Sequence, residues 1–357
     1  MSDSKVAIIS DVHANYQALQ AALSHADSQG AADIWFLGDA VGYGPDPHRC
    51  LELLQKQATN QAAWILGNHD EVMRYNPNNK PPIDEEENNN HHYLRIQADP
   101  ITQHIGTGTD QLTAFRINYE ILDAFTDSRD FLLSHPTTSK IDNRFFLVHG
   151  GVRSGTPTTT YTTDRIDIAN EFLLPVYKIT KPVLKKLESR GIQDETVKQL
   201  AALKNREIIG EQEFMDLLKK TIGDKQIEEH IKTIQDNAFF TTKKRFNEPN
   251  LNVFFFGHTH HPTCFKGVTR LDRMEFLTHD FEPGKEIPLD DDKVWFLNPG
   301  SVGQPRDRDC RASYLVLDRK EHTVQLHRVE YNIRGVQKQM ERLAMPINLI
   351  SRLSKGR

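Results

Sequence analysis

Five short apolar runs, each closed by a polar signature, constrain this chain more than any other feature. KVAIIS (5–10) leads into Asp11-Val12-His13, DIWFLG (33–38) into Asp39, and AAWIL (62–66) into Gly67-Asn68-His69-Asp70. RFFLV (144–148) leads into His149-Gly150, and NVFFFG (252–257) into His258-Thr259-His260. Runs of this length, apolar throughout, read as strands buried on both faces. In an open α/β sheet the crevice beyond the carboxyl ends of such strands is where ligands bind. The five polar signatures are therefore expected to meet on one rim.

The pattern between them agrees. Residues 5–70 alternate strand, helix, strand, helix, strand, with YQALQAALSHA and PHRCLELLQKQ as the helices, which predicts parallel βαβ units. The stretch 76–92, NPNNKPPIDEEENNNHH, has too few apolar residues to bury and reads as a loop near the mouth of the site. TDQLTAFRINYEILDAF places Leu112, Phe115, Tyr119 and Leu122 on one helical face. Residues 1–154 make a first core part. Residues 155–250 shift to Lys/Glu-rich amphipathic segments (KPVLKKLESRG, DETVKQLAALKNR, EQEFMDLLKKTIG, KQIEEHIKTIQ) and read as a helical insertion. Residues 251–357 return to short β-rich runs, as for a second sheet, and close on the helix IRGVQKQMERLA. The insertion suits a cap over the site, a protein-binding or dimerisation element, or a solvated decoration.

Composition narrows the class. With 357 residues, a formal charge of -5 and 38% hydrophobic content, the chain suffices for one large domain with an insertion. No basic stripe marks it as a nucleic-acid binder. Cys50, Cys264 and Cys310 have no metal-finger spacing and no disulfide pattern, which favours a reducing compartment. No apolar stretch approaches the roughly 20 residues needed to span a bilayer. Cytoplasm is the expected location.

Taken together, the signatures supply the carboxylate, amide and imidazole donors that two divalent cations need, one carboxylate being able to bridge them. Their types and order resemble the calcineurin-like metallophosphoesterase superfamily, whose blocks are DxH, GD, GNH[DE], H and GHxH. The resemblance implies an α/β (α+β) fold, a four-layer αββα sandwich of two packed mixed sheets flanked by helices. It implies that Asp11, His13 and His260 hold one metal, that Asn68, His149 and His258 hold the other, and that Asp39 bridges them. Water shared by two such cations has its pKa lowered towards neutrality and attacks phosphorus in line. His69 would be the general acid at the leaving oxygen, with Asp70 orienting it. Mn²⁺ is the expected ion, with Fe, Zn or Ni as alternatives.

Gly38 to Pro45 (GDAVGYGP), Asn298 to Asp307 (NPGSVGQPRD) and Arg352-Leu353 to Gly356-Arg357 resemble the YfcE-like bacterial phosphodiesterase branch more closely, although the insertion is longer than that branch requires. Gly42-Tyr43-Gly44 departs from the GDxVDRG of serine/threonine protein phosphatases, whose arginine grips phosphate. Arg306 is the candidate cation for a substrate phosphate, against a salt bridge to Asp307 or Asp309. Gly300 and Gly303 read equally as a backbone phosphate cradle or as a tight turn. His91 and His92 read as loop residues, His261 as pointing away from the His260 face, and Phe254–Phe256 as core. The expected activity is a phosphodiesterase or phosphomonoesterase, with protein phosphatase or dinucleoside polyphosphate hydrolase as alternatives. A nuclease or a non-catalytic scaffold fits less well, since no ligand is missing and the insertion is not basic.

Overall fold

The computed structural model describes residues 4–57, 63–77, 100–151, 158, 173–179, 181–189, 191, 194–203, 207–209, 211–222, 239–244, 250–270 and 273–357. In chain order the first elements are β1 (Lys5–Ile9), α1 (Tyr16–Ser28), β2 (Asp33–Phe36), α2 (Pro47–Gln57), α3 (Asn68–Glu71), α4 (Pro100–Ile105), α5 (Thr109–Asp123), α6 (Thr126–Leu133), β3 (Thr138–Ile141) and β4 (Phe145–Val148). There follow β5 (Leu173–Lys178), α7 (Lys181–Ser189), α8 (Asp194–Ala201), β6 (Glu207–Ile209), α9 (Glu211–Ile222) and β7 (Phe239–Lys244). The chain finishes with β8 (Val253–Phe255), β9 (Pro262–Arg270), β10 (Arg273–Thr278), β11 (Glu286–Pro288), β12 (Val294–Pro299), β13 (Ala312–Asp318), β14 (Thr323–Val329), α10 (Ile333–Arg342) and α11 (Ile347–Leu353).

Two mixed sheets form the body. One runs β11-β14-β13-β1-β2, with β1 and β2 parallel; the other runs β10-β9-β12-β8-β4-β3, with β12, β8 and β4 parallel. Strand alternation sorts the apolar side chains. Val6, Ile8, Trp35 and Leu37 face Phe145, Leu147, Val253, Phe255, Trp295 and Leu297 in the core between the sheets. Ala7, Ile9, Ile34 and Phe36 point the other way, against α1, α2 and α5 through Leu19, Leu51 and Phe115. Both faces of β1 and β2 are thus covered, which is why these strands read as unbroken apolar runs. Phe254, Phe255 and Phe256 are all buried. Asn15 caps α1, its side chain accepting from the Ala18 amide at 3.2 Å, and the predicted face of α5 is the buried one.

Two readings change. Of AAWIL, the described residues 63–66 make no strand: they contribute a single bridge, Trp64 to Phe36, before the chain turns into α3. The 155–250 segment, expected to be helical, carries α7, α8 and α9 but also an antiparallel sheet of order β6-β5-β7. Its fourth expected helix, KQIEEHIKTIQ, lies outside the described residues, as do His91, His92 and the 76–92 loop from residue 78 on. The chain divides into two compact units, 168–247 with 268–275, and the remainder. The smaller has a core of its own, among it Leu184, Leu187, Leu200, Phe214 and Leu218. Among the described residues no helix is long and apolar enough to cross a membrane.

Candidate metal centre

Within each sheet the parallel strands end on the same side, and all five signatures lie there. Asp11 follows β1, Asp39 follows β2, His149 follows β4, His258 and His260 follow β8, and Asn68 and His69 open α3. Backbone bonds lock the loops together: Asp11 N–H donates to Gly38 O (3.0 Å) and Gly257 N–H to His149 O (2.8 Å). The His258 N–H donates to Asp11 Oδ2 at 3.1 Å, tying one sheet to the other. Gly67 has no room for a side chain, since a Cβ there would lie 2.1 Å from Asp39 Oδ1.

Every expected ligand is nine-tenths or more buried. Three overlapping groups, each with ligand atoms within 4.8 Å of one another, are Asp11/His13/His260, Asp39/His149/His258 and His13/Asp39/His69. Asp39 Oδ2 lies 3.2 Å from His149 Nε2 and 3.6 Å from His13 Nε2, while Asp39 Oδ1 accepts the His69 N–H at 2.8 Å. Asp11 Oδ1 is 3.1 Å from His260 Nε2 and 3.9 Å from His149 Nε2. Asp39 and Asp11 are thus each shared among several imidazoles.

The donor set fits cations. His13 Nδ1 donates to Val41 O (3.0 Å) and His260 Nδ1 to Gln304 O (2.5 Å), because a carbonyl can only accept. With Nδ1 so engaged, the two rings face each other Nε2 to Nε2 at 3.0 Å. A bound cation satisfies both. His149 Nδ1 is held in the same way by Leu37 O at 2.7 Å. Asn68 donates its amide to His104 O at 2.6 Å and leaves Oδ1 buried without a hydrogen-bond partner. Asp11, His13, Asp39, His258 and His260 have φ of 54°, 48°, 60°, 67° and 60°. Left-handed backbone at non-glycine residues costs on the order of 1–3 kcal/mol each and collects at functional sites.

The electrostatics follow from this crowding. Burial alone would raise Asp39, but His149, His69 and His13 more than offset it and hold the carboxylate well below its usual range. Asp11 is lowered likewise, with His260 the main opponent of burial. Burial would lower His149, yet Asp39 and Asp11 push it up to about 9. Burial and neighbouring cations press His258 and His260 down to about 3. His69 is lowered too, by burial first and then by His13 and Arg306, against the pull of Asp39.

Some side chains do other work than expected. Asp70 spends its carboxylate on the N–H groups of Asp39 (2.7 Å), Ala40 (2.9 Å), Val41 (3.3 Å) and Gly67 (3.1 Å), so it shapes the Asp39 turn. No bond from Asp70 to the His69 ring accompanies these. The amides of Gly300 and Gly303 are already engaged, by Asn298 Oδ1 (2.8 Å) and Asp11 O (3.0 Å), so this loop is a turn that supports Asp11 and not a cradle for phosphate. His261 is exposed. Arg306 lines a cavity of about 260 Å³ with Asp39, Asn68, His69, His258 and His260. Nearby, Asp307 pairs with Arg328 and Asp309 with Arg311.

Three contributors escaped the sequence reading. Gln304 holds His260 through its backbone carbonyl, which no side-chain pattern reveals. The 102–106 segment walls the cavity without any recognisable motif. Asn118, buried on the apolar face of α5, accepts from Gly42 N–H (3.0 Å) and donates to Gly44 O (2.9 Å). A lone amide three residues after Phe115 and four before Leu122 was the available signal.

A family profile described as calcineurin-like phosphoesterase matches residues 4–262, well over half the chain. The chain belongs to the calcineurin-like phosphoesterase family. A second profile, for the calcineurin-like phosphoesterase superfamily domain, matches residues 209–322. The crystal structure of a metallophosphoesterase from Sphaerobacter thermophilus is 26% identical, covers 99% of each chain and superposes with a TM-score of 0.56. A hypothetical protein from Pyrococcus horikoshii OT3 is similar in fold, with 14% identity, coverage of 99% of this chain and 98% of that one, and a TM-score of 0.53. An uncharacterised protein of Methanocaldococcus jannaschii is 25% identical over 357 residues, the whole of both chains. Membership implies a phosphoester hydrolase, and with the ligand clusters it points to divalent metal ions.

Proposed function

We propose that this calcineurin-like phosphoesterase is a two-metal enzyme that hydrolyses a phosphodiester or phosphomonoester. The observation that carries the reading is the convergence of Asp11/His13/His260 and Asp39/His149/His258 on one buried rim. Asp11, His13 and His260 would hold one ion, Asn68, His149 and His258 the other, and Asp39 both. Divalent cations there would supply Lewis acidity towards the phosphate and a nucleophile from water at neutral pH. The mixed imidazole, amide and carboxylate set suits Mn²⁺, Fe, Zn or Ni, and Mn²⁺ is the first choice for reconstitution.

The chain's own groups do the rest. Arg306, on the cavity wall, would grip a phosphate oxygen of the substrate. His69, on the same wall, is the general acid. Asp70 keeps the Asp39 turn in place. Within the family, GDAVGYGP and NPGSVGQPRD support a place beside the YfcE-like phosphodiesterases, and Gly42-Tyr43-Gly44 speaks against a dedicated protein phosphatase. The test is hydrolysis of a bis-aryl phosphate by folded protein reconstituted separately with Mn²⁺, Fe²⁺, Zn²⁺ and Ni²⁺. Turnover with at least one is expected; none with any would reject the reading.

A further inference from the structure

Tyr43 sits at the hub of the site without belonging to any ligand signature. It is 7% exposed, and its ring centroid lies 4.6 Å from that of His69 and 4.6 Å from that of His13. The backbone on either side is pinned to one side chain, Asn118, through Gly42 and Gly44. Gly42, at φ 110°, passes so close to the two imidazoles that a Cβ would lie 2.7 Å from His69 Nδ1 and 2.9 Å from His13 Nδ1. Two guanidinium carbons flank the Tyr43 ring, Arg306 at 5.8 Å and Arg352 at 5.7 Å from its centroid. Arg306 Nη2 also donates to the Tyr43 hydroxyl at 3.4 Å.

Arg352 belongs to α11, and the same helix packs Leu349, Ile350 and Leu353 into one cluster with Tyr43. The residues after it reach the loop that carries Arg306, with Arg308 N–H donating to Gly356 O at 2.8 Å. The C-terminus therefore grips both the ring that abuts His69 and the segment that presents Arg306. Aromatic and cation–π contacts of this kind fix ring planes, and proton delivery needs the donor ring held within roughly 10–20° of its productive angle.

We propose that Tyr43 is a positioning residue for the phosphoester chemistry described above, orienting His69 with its ring and Arg306 with its hydroxyl, and that α11 acts on the site through the Arg352 stack. This rests on the phosphoesterase reading. The experiment uses the full-length protein loaded with Mn²⁺ and a bis-aryl phosphate, with kcat, KM and metal content measured for wild type, Tyr43→Phe, Tyr43→Leu, Arg352→Leu and Arg352→Lys. Tyr43→Phe keeps the ring and loses the hydroxyl, so KM should rise about three- to tenfold with kcat within about twofold of wild type. Tyr43→Leu should lower kcat at least about tenfold at unchanged metal content, and Arg352→Leu should lower it by about threefold, with most of that recovered in Arg352→Lys.

A second readout needs no turnover. In the metal-free protein, the NMR signals of the His69 ring should lose the ring-current shift of Tyr43 in Tyr43→Leu and keep it in Tyr43→Phe. Kinetic constants of Tyr43→Leu and Arg352→Leu within twofold of wild type, or His69 signals unmoved in Tyr43→Leu, would overturn the proposal. Should Tyr43→Leu not fold, the KM of Tyr43→Phe and the Arg352 pair decide the matter by the same criteria. An inactive wild type would count against the phosphoesterase reading alone, and the His69 signals would still judge the contact.

Discussion

Asp39 offers one carboxylate oxygen to His13 and His149 and the other to the His69 amide, so a change there is felt by both proposed ions. Asp39→Asn should lower the content of both ions, read by elemental analysis of gel-filtered protein. His69→Ala should keep both ions and lower kcat by about 10²–10⁴, the usual worth of a positioned acid; loss of metal in this variant would contradict its assignment. His149 adds a pH signature. Its folded pKa is raised from 6.5 to about 9 in the metal-free protein, so the Asp39–His149 pair stabilises that state fully below 6.5 and loses its effect as pH rises through 9. A cation must displace this proton, so apparent metal affinity should climb between pH 6.5 and 9, and calorimetry in buffers of different ionisation enthalpy should show proton release. The proposed ligands could be picked out of the sequence because their types and motif spacings are local. The roles of Gly300 and Gly303 were not, because the group that occupies the Gly303 amide, Asp11 O, comes from the far end of the chain.

Helix α1 joins two functions at its N-cap. Asn15 caps it and also donates to Gly303 O at 2.9 Å, bracing the turn behind Asp11. Asn15→Ala should cost about 1–2 kcal/mol, the lost cap plus a stranded buried carbonyl, and urea unfolding of the full-length protein measures it. At this scale β1, β2, β4 and β8 could be read from their unbroken apolar runs, and the buried face of α5 from its helical period. The failures have one cause. The sheet β6-β5-β7 was taken for part of a helical insertion because β5 and β7 pair Leu173 with Lys244 across a stretch of Lys/Glu-rich helices, and a ladder between distant residues leaves no local period. AAWIL has a strand's composition but only one bridge, since the chain must turn at Gly67 to bring Asn68 and His69 to the rim.

The molecule as a whole comprises two units with separate cores, and every proposed ligand lies in the larger one. Ions that bind only the folded state stabilise it by about 2.7 kcal/mol at a free concentration a hundred times Kd. Saturation with Mn²⁺ should therefore raise the Tm of the larger unit and slow amide exchange in the loops after β1, β2, β4 and β8, whereas exchange in α7, α8 and α9 should stay unchanged. Mass-spectrometric hydrogen exchange with and without chelator reads both units in one experiment. Relatives that span the whole chain show that its full length, extra unit included, recurs beyond this protein.

What the sequence determined by itself was the strand-end chemistry: apolar runs must be buried, the polar residues just beyond them must surface at one edge, and their kinds are those that bind divalent cations. What only the tertiary structure decided was everything that depends on partners remote in the chain. His13 meets His260, Asp11 braces against Ser301 and Gly303, and Tyr43 is held between Arg306 and a helix more than three hundred residues later. Such contacts are written into no local pattern, because a side chain's neighbours across two packed sheets are chosen by the way the layers close and not by its own place in the chain.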